Sequence, residues 1–446
     1  MPPLSCWARA AGALPCLVLA GTSLAQVSTP ATPQTGSPVT PSPAGPPAPP
    51  QWSRGLPAPA PADGPLPAAL TLDQALREAE TRSPAIVAAR ARVEAAEARI
   101  RQAGFRSNPE LSLEVENLLG TGELSGLKST ETTLSVNQRL DLGGRRRTRV
   151  AAARADLMAE QLRLAIARAD LAQSVRQQFA RAVTARERMR IAIQNEGVAR
   201  ELARVETILV QEGRDAPLRA VRARSAAAQA GAEVEAARAE EQAARGTLAS
   251  LFGVTEPPEA VAGDLLDLQP VTVNPELSLE VRLAEAERLR AEADVGREVA
   301  SGRLDPAVGL GVRHVRESGD VGLVAGVSMP LPIFDRNQGN IAAARSGVRA
   351  AEANLASVTA SARVRARNAI IAVEAAAARV EALERAAVPE GAEALRLTEI
   401  SYREGRATML ELLDAQNAYR ATQLALVEAR LAQALATAEL GRVAAQ

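Results

Sequence analysis

The chain has 446 residues, and its 52 Lys+Arg balance 52 Asp+Glu to a formal net charge of +0. That balance gives no argument for nucleic acid as a partner, and no basic stripe carrying interleaved aromatics is present. Aromatic residues make up 2%, too few for a typical globular core, and the single histidine, His314, argues against a His-based metal site or a catalytic triad. The abundant Ala, Leu, Arg, Glu and Val fit long helices packed through small side chains.

Residues 1–25 read as a secretory signal: Arg9 supplies positive charge, residues 10–20 form a short apolar core, and Ser23-Leu24-Ala25 fits a small-x-small cleavage site. Both cysteines, Cys6 and Cys16, lie there, so the mature chain is expected to carry no thiol, disulfide or thiolate metal site. Leu14-Pro15 before Cys16 is a poor lipidation context, and no acyl anchor is expected. Residues 26–69 are rich in Pro and should form an extended, disordered linker. No later stretch offers the ~18 consecutive apolar residues of a spanning helix, so any membrane role must come from strands.

Order is expected from Thr71, where Thr71 and Gln74 fit a capping box, and Ser83-Pro84 fits a cap followed by Pro at the first helical position. Helix should continue to about Arg106 and stop at Asn108-Pro109. The period then changes to two: Leu111, Leu113 and Val115 alternate with Ser112, Glu114 and Glu116. After a Gly-rich turn at 120–126, Leu134, Val136, Leu140 and Leu142 alternate with polar residues, ending at Gly143-Gly144. Residues 145–211 contain no proline and one glycine, Gly197, and Leu157, Leu164 and Leu171 recur at sevens. A helix of that span is about 100 Å long and must pack along its side against others. Gly213 and Pro217 break it, and a second leg returns to about Leu251.

The pattern then repeats. After a connecting segment at 254–276, a helix at 276–303 leads to Asp305-Pro306, echoing Asn108-Pro109. Val308, Leu310 and Val312 alternate with Gly309, Gly311 and Arg313, and Val321, Leu323, Ala325, Val327, Met329 and Leu331 alternate with mostly small residues. A long helix from near Asn340 to about Glu404 carries Pro389 as an expected kink, and a last leg covers 408–441. Ala342-Ala343-Ala344-Arg345 echoes Ala151-Ala152-Ala153-Arg154, and Glu404-Gly405-Arg406 echoes Glu212-Gly213-Arg214. The unit of helix, two strands, long helix, turn and helix therefore occurs twice, over 70–253 and 277–446. Four strands with one apolar face cannot close alone in lipid, whereas three chains would supply about twelve strands and a closed barrel. The fold class is mainly α with a membrane β part, a long α-helical coiled-coil barrel below four strands per chain.

Particular residues carry a resemblance. Met329-Pro330-Leu331-Pro332-Ile333-Phe334-Asp335, continuing Arg336-Asn337-Gln338-Gly339-Asn340, resembles the strand-to-helix junction of TolC-like outer-membrane efflux proteins. Tyr402-Arg403-Glu404-Gly405 with Glu411-Leu412-Leu413-Asp414-Ala415-Gln416 is similar to that family's second hairpin tip. Asn108-Pro109-Glu110-Leu111-Ser112-Leu113-Glu114, with Leu140-Asp141-Leu142-Gly143-Gly144-Arg145, resembles the heavy-metal branch (cobalt-zinc-cadmium type). The resemblance covers 70–446 and implies passive conduction across the outer membrane of a Gram-negative bacterium, with no catalytic residue and no cofactor. It implies a homotrimer, a periplasmic adaptor (membrane fusion) protein, an inner-membrane pump of the resistance-nodulation-division type, and outer-membrane lipid as partners.

The same resemblance places the turns at Gly213 and Gly405 at the periplasmic mouth. Glu411 and Asp414, i and i+3 on one helix face, match carboxylates of an entrance constriction, against a bland reading as solvated helix residues. Tyr402 matches a position that helps hold the tip closed, against a reading as a packed aromatic; Asp215 lies near the first tip. His314 reads as a strand residue rather than a ligand, and Arg145-Arg146-Arg147, at a helix start, invites an anionic partner or solvent. A pore-less periplasmic coiled-coil scaffold or adaptor, and a channel of the same fold exporting drugs or proteins, remain alternatives at this point.

Overall fold

A computed structural model describes residues 64, 66–124, 126–264 and 273–445. The expected signal at 1–25 and nearly all of the expected linker lie outside them. In chain order the elements are β1 (Ala69–Leu70), α1 (Leu72–Arg82), α2 (Pro84–Gly104), β2 (Glu110–Glu116), β3 (Glu131–Arg139), α3 (Arg145–Gln211) and α4 (Pro217–Ser250). Then come β4 (Ala260–Val261), α5 (Leu279–Ser301), β5 (Ala307–Val315), β6 (Val321–Ser328), α6 (Gln338–Ala382), a π-turn (Leu383–Ala387), α7 (Val388–Arg403) and α8 (Met409–Val443).

The end of the linker differs from expectation. The last residues assigned to the linker are ordered: β1 pairs in parallel with β4, Ala69 opposite Ala260 and Leu70 opposite Val261. Leu70 is wholly buried, in a core with Ile86, Leu171, Val175, Phe179, Leu248, Phe252 and Val261. An apolar residue leading into a capped helix can bury itself even next to a Pro-rich run, so composition alone sets the edge too late. The capping box itself is present, with Thr71 N–H donating to Gln74 Oε1 and Gln74 N–H to Thr71 Oγ1.

The four strands β2-β3-β5-β6 form one antiparallel sheet in that order. Register aligns Leu113, Leu134, Val312 and Leu323 in one row, and Leu111, Val136, Leu310 and Ala325 in the next. These leucines and valines stand exposed on one face, Leu310 at 72% and Leu323 at 91%. The other face is polar. Ser112 and Ser135 hydroxyls share a hydrogen bond of 2.7 Å, Asn137 donates to Ser112 at 2.9 Å, and Arg313 reaches Glu131 at 2.9 Å and Glu116 at 3.2 Å. Glycine at 311 is required by space: a Cβ there would lie 2.7 Å from the Leu134 carbonyl oxygen and the Ser135 Cβ.

The second strand ends at Arg139, before Leu140 and Leu142 of the expected run. The Leu140 N–H turns to the Pro306 carbonyl at 2.9 Å, and Asp141 and Gly144 take positive φ. β6 likewise stops at Ser328, since Pro330 and Pro332 cannot donate to a ladder. Below the strands, α2, α3, α5 and α6 pack side by side in the order of the strands they continue. No described helix is long and apolar enough to cross a membrane.

Candidate functional site

The two helical hairpins end in the same turn. At the first, Glu212 N–H donates to Ile208 O, Gly213 N–H to Val210 O and Arg214 N–H to Leu209 O at 2.8–3.0 Å. At the second, Glu404, Gly405 and Arg406 donate to Ile400, Tyr402 and Ser401 at the same distances. Gly213 (φ 69) and Gly405 (φ 70) occupy the left-handed position that such a C-terminal turn demands. Both glycines singled out from sequence are therefore conformational requirements of the tips.

Among the described residues, one side-chain hydrogen bond joins the tips, beside a small packed cluster. Tyr402, at the end of α7, donates its hydroxyl to the carboxylate of Glu206 on α3. Glu206 is fully buried, and its second oxygen, Oε2, has no hydrogen-bond partner. Around it pack Ala203, Ala223 and Met409, with Leu202, Ala227, Tyr402 and Leu413 at the edge. Burial pushes the Tyr402 phenol well above its ordinary value, and the bond to Glu206 adds to that shift. The buried Glu241 makes a contrast: Arg245 neutralises it at 2.7 Å, whereas Glu206 has only a hydroxyl.

Glu206 was not singled out from sequence. Its signal is positional: Ala199, Ala203 and Glu206 fall at i, i+4 and i+7 of one buried stripe, where a carboxylate is out of place.

Glu411 and Asp414 both lie on the exposed side of α8, while Met409 and Leu412 face inward. Glu411 is already occupied. Its carboxylate accepts from the Thr408 N–H at 2.6 Å and the Thr408 hydroxyl at 2.9 Å, closing a capping box. The Thr408 N–H, then its hydroxyl, hold the Glu411 carboxyl below the usual range. Asp414 makes no hydrogen bond or ion pair with any described residue. Asp215 accepts from Ala216 N–H at 2.7 Å and pairs with Arg219 at 2.6 Å. So the structure joins Tyr402 to α3, and leaves Glu411 and Asp414 apart from that contact.

Two other sequence candidates settle simply. His314 stands on the exposed apolar face, opposite Thr132 and Val321. Arg145 finds its anionic partner inside the chain: it pairs with Asp305 at 2.8 Å and donates to the carbonyls of Ala300, Ser301 and Arg303 at the end of α5. Among the described residues, no group of three or more His, Cys, Asp or Glu is placed to hold a metal ion.

A family model described as outer membrane efflux protein matches residues 75–254 and 276–446. The chain belongs to the outer membrane efflux protein family. Among its relatives is the cobalt-zinc-cadmium resistance protein CzcC of Cupriavidus metallidurans, 32% identical over 356 residues, 78% of this chain and 83% of that one. The nickel and cobalt resistance protein CnrC of the same organism is 34% identical over 293 residues, 65% of this chain and 70% of that one. The open state of the Neisseria gonorrhoeae outer membrane channel MtrE has the same fold, with a TM-score of 0.70 at 23% identity, covering 86% of this chain and 93% of that one. As an outer membrane efflux protein, the chain is a passive channel component of the outer membrane with a helical periplasmic tunnel, and it catalyses no reaction.

Proposed function

We propose that three copies of this chain close into one duct that passes divalent heavy-metal cations from the periplasm to the outside. The observation that carries the trimer is the sheet. Two rows of its outer face are apolar from edge to edge, while its edge strands β2 and β6 each have one side unpaired among the described residues. Lipid cannot satisfy those backbone groups, but β6 of one copy can pair with β2 of the next. Twelve strands then enclose the polar face. An inner-membrane pump of the resistance-nodulation-division type and a periplasmic adaptor complete the path. The cargo rests on the relatives, two of which are named for cobalt, zinc, cadmium or nickel resistance.

The periplasmic entrance lies at the turns of Gly213 and Gly405. Tyr402 on Glu206 holds the second tip against the first. Threefold repetition brings three Asp414 carboxylates, and the Glu411 carboxylates behind their caps, around one axis, where crowded negative charge favours cations. The test is direct. Protein extracted from outer membranes should run as a trimer and conduct in planar bilayers with cation preference. A deletion strain should become sensitive to zinc, cobalt or cadmium before dyes or antibiotics. A soluble periplasmic monomer would overturn the duct in favour of a pore-less scaffold, and dye or antibiotic sensitivity alone would overturn the cargo.

A further inference from the structure

Just below the strands, a cavity of about 600 Å³ opens where α2, α3 and α5 meet. Four arginines line it: Arg99 of α2, Arg106 just past the end of α2, Arg149 of α3 and Arg297 of α5. The one carboxylate in its wall, Asp156, is held by Arg290 at 2.5 Å. Arg297 pairs with Asp294 at 2.8 Å and with Glu298 at 3.2 Å. Arg149 has only a long contact to Asp141, 3.7 Å, and donates to the Phe105 carbonyl at 3.4 Å. Among the described residues, Arg99 and Arg106 have no hydrogen-bond or ion-pair partner.

The lining also fixes the side of the helical layer on which the cavity lies. α2 and α5 flank α3 on its two sides, and both reach the cavity. When a layer of helices bends into a tube, side chains of the two outer staves converge over the middle one only on the concave side. The cavity therefore faces the bore. Above it, the polar face of the sheet carries Glu110, Glu114, Glu116 and Glu131 against Arg139 and Arg313. Below it, the second tip carries Glu411 and Asp414. Between two acidic stretches, the neck is basic.

We infer that this cavity is an anion site in the neck of the duct, where each chain holds a phosphate-sized oxyanion on Arg99, Arg106 and Arg149. Planar guanidinium forks match the oxygens of phosphate or sulfate. Three copies bring these uncompensated cations around one bore, where they oppose one another and a passing cation; a bound oxyanion offsets both effects. The place of the site in a bore rests on the duct reading above, and the binding itself does not.

The experiment titrates inorganic phosphate into the full-length protein in nonionic detergent and chloride-free buffer, read by calorimetry. Saturable binding is expected, weakened about tenfold or more by Arg99→Gln with Arg106→Gln, because each lost charge-assisted bond removes about a decade of affinity. Arg101→Gln, at an exposed position of the same helix outside the cavity, should leave it unchanged. No saturable binding, or an equal loss in Arg101→Gln, overturns the site. If the double variant fails to assemble, the two single replacements serve, and no weakening in either sinks the proposal. Micelles of short-chain phosphatidylglycerol offer the same phosphate chemistry on a lipid; binding of these but not of inorganic phosphate would set the cavity against lipid and overturn the neck. In planar bilayers the double variant should raise the cation preference, read as a shift of reversal potential in a salt gradient, and no shift would remove the cavity from the bore. A protein that binds phosphate without conducting loses only the duct, and one that conducts without binding loses only the anion site.

Discussion

α3 and the path from α6 through α7 are the same leg of the same repeat, and they are built to different mechanical ends. α3 runs 67 residues without interruption and buries Leu171, Val175, Phe179, Ala182 and Val183 against α1, β1, β4 and the end of α4. The second leg breaks at the π-turn, and below it α7 has no fully buried residue and packs along α8 through half-buried ones. Duplication copied the architecture, and burial then set the copies apart: α3 sits deep in the main core, whereas the second leg is buried through α6 and only half-buried along α7. A long helix in water owes its stability to its packed side, so α3 is the more firmly held of the two.

The largest effect should come from the clamped leg. Phe179, 4% exposed in the main core, should destabilise the protein by about 3–5 kcal/mol when replaced by Ala, from lost transfer energy plus the cavity left behind. Leu397 on α7, 51% exposed, should change stability by no more than about 0.5 kcal/mol on the same replacement. Denaturant unfolding of the two variants compares them directly. Equal losses would mean that α7 is packed in the assembly as tightly as α3.

The bond between the two legs comes next. Tyr402→Phe leaves the buried Glu206 with no partner for either oxygen, a loss of about 1–3 kcal/mol at the tip. Larger or more frequent conductance openings should accompany it. Removing both groups together, as Tyr402→Phe with Glu206→Leu, should recover most of the stability while keeping the loosened tip, because no buried carboxylate remains unsatisfied. A double variant as unstable as the single one would show that Glu206 has a further partner in the trimer.

The sequence is legible wherever period and burial agree. The strands are readable because Leu111, Leu113, Leu310 and Leu323 alternate with Ser, Gly and Glu, and the sheet keeps that alternation as two faces. α3 is readable because nothing between Arg145 and Gln211 breaks a helix. The strand end is misplaced at Leu140 and Leu142, where Asp141 adopts an unusual φ of 37° that no hydropathy pattern carries. The π-turn is hidden because Leu383-Glu384-Arg385-Ala386-Ala387 is good α-helical sequence; it shows only in the one-residue mismatch between the repeats. Glu206 is hidden among dozens of exposed carboxylates, and only its place in the alanine stripe distinguishes it. Glu411 and Asp414 are found by resemblance, but their unequal states, one capped and one free, need coordinates.

The cap itself gives a smaller effect that sharpens the contrast between the legs. α8 starts at Thr408 with both halves of a capping box, so Thr408→Ala should lower stability by about 1 kcal/mol, local to the second tip. Hydrogen exchange at residues 409–412 should rise while the first tip is unchanged, since α4 begins instead at Pro217 without a side-chain cap.

The smallest effect is the pH response of that same cap. Hydrogen bonds from Thr408 hold the Glu411 carboxyl below its ordinary value of 4.5 in the folded tip. A depressed carboxyl stabilises the fold above its unfolded value, and that contribution fades as pH falls through the folded value. Exchange at residues 409–412, corrected for intrinsic rates, should therefore be flat above about pH 5 and should rise below it. Glu411→Gln should remove the rise, because an amide can still accept the Thr408 bonds but has no proton to gain. If the acid-side rise survives in Glu411→Gln, another group at the second tip controls it, and the Thr408 bonds are not its source.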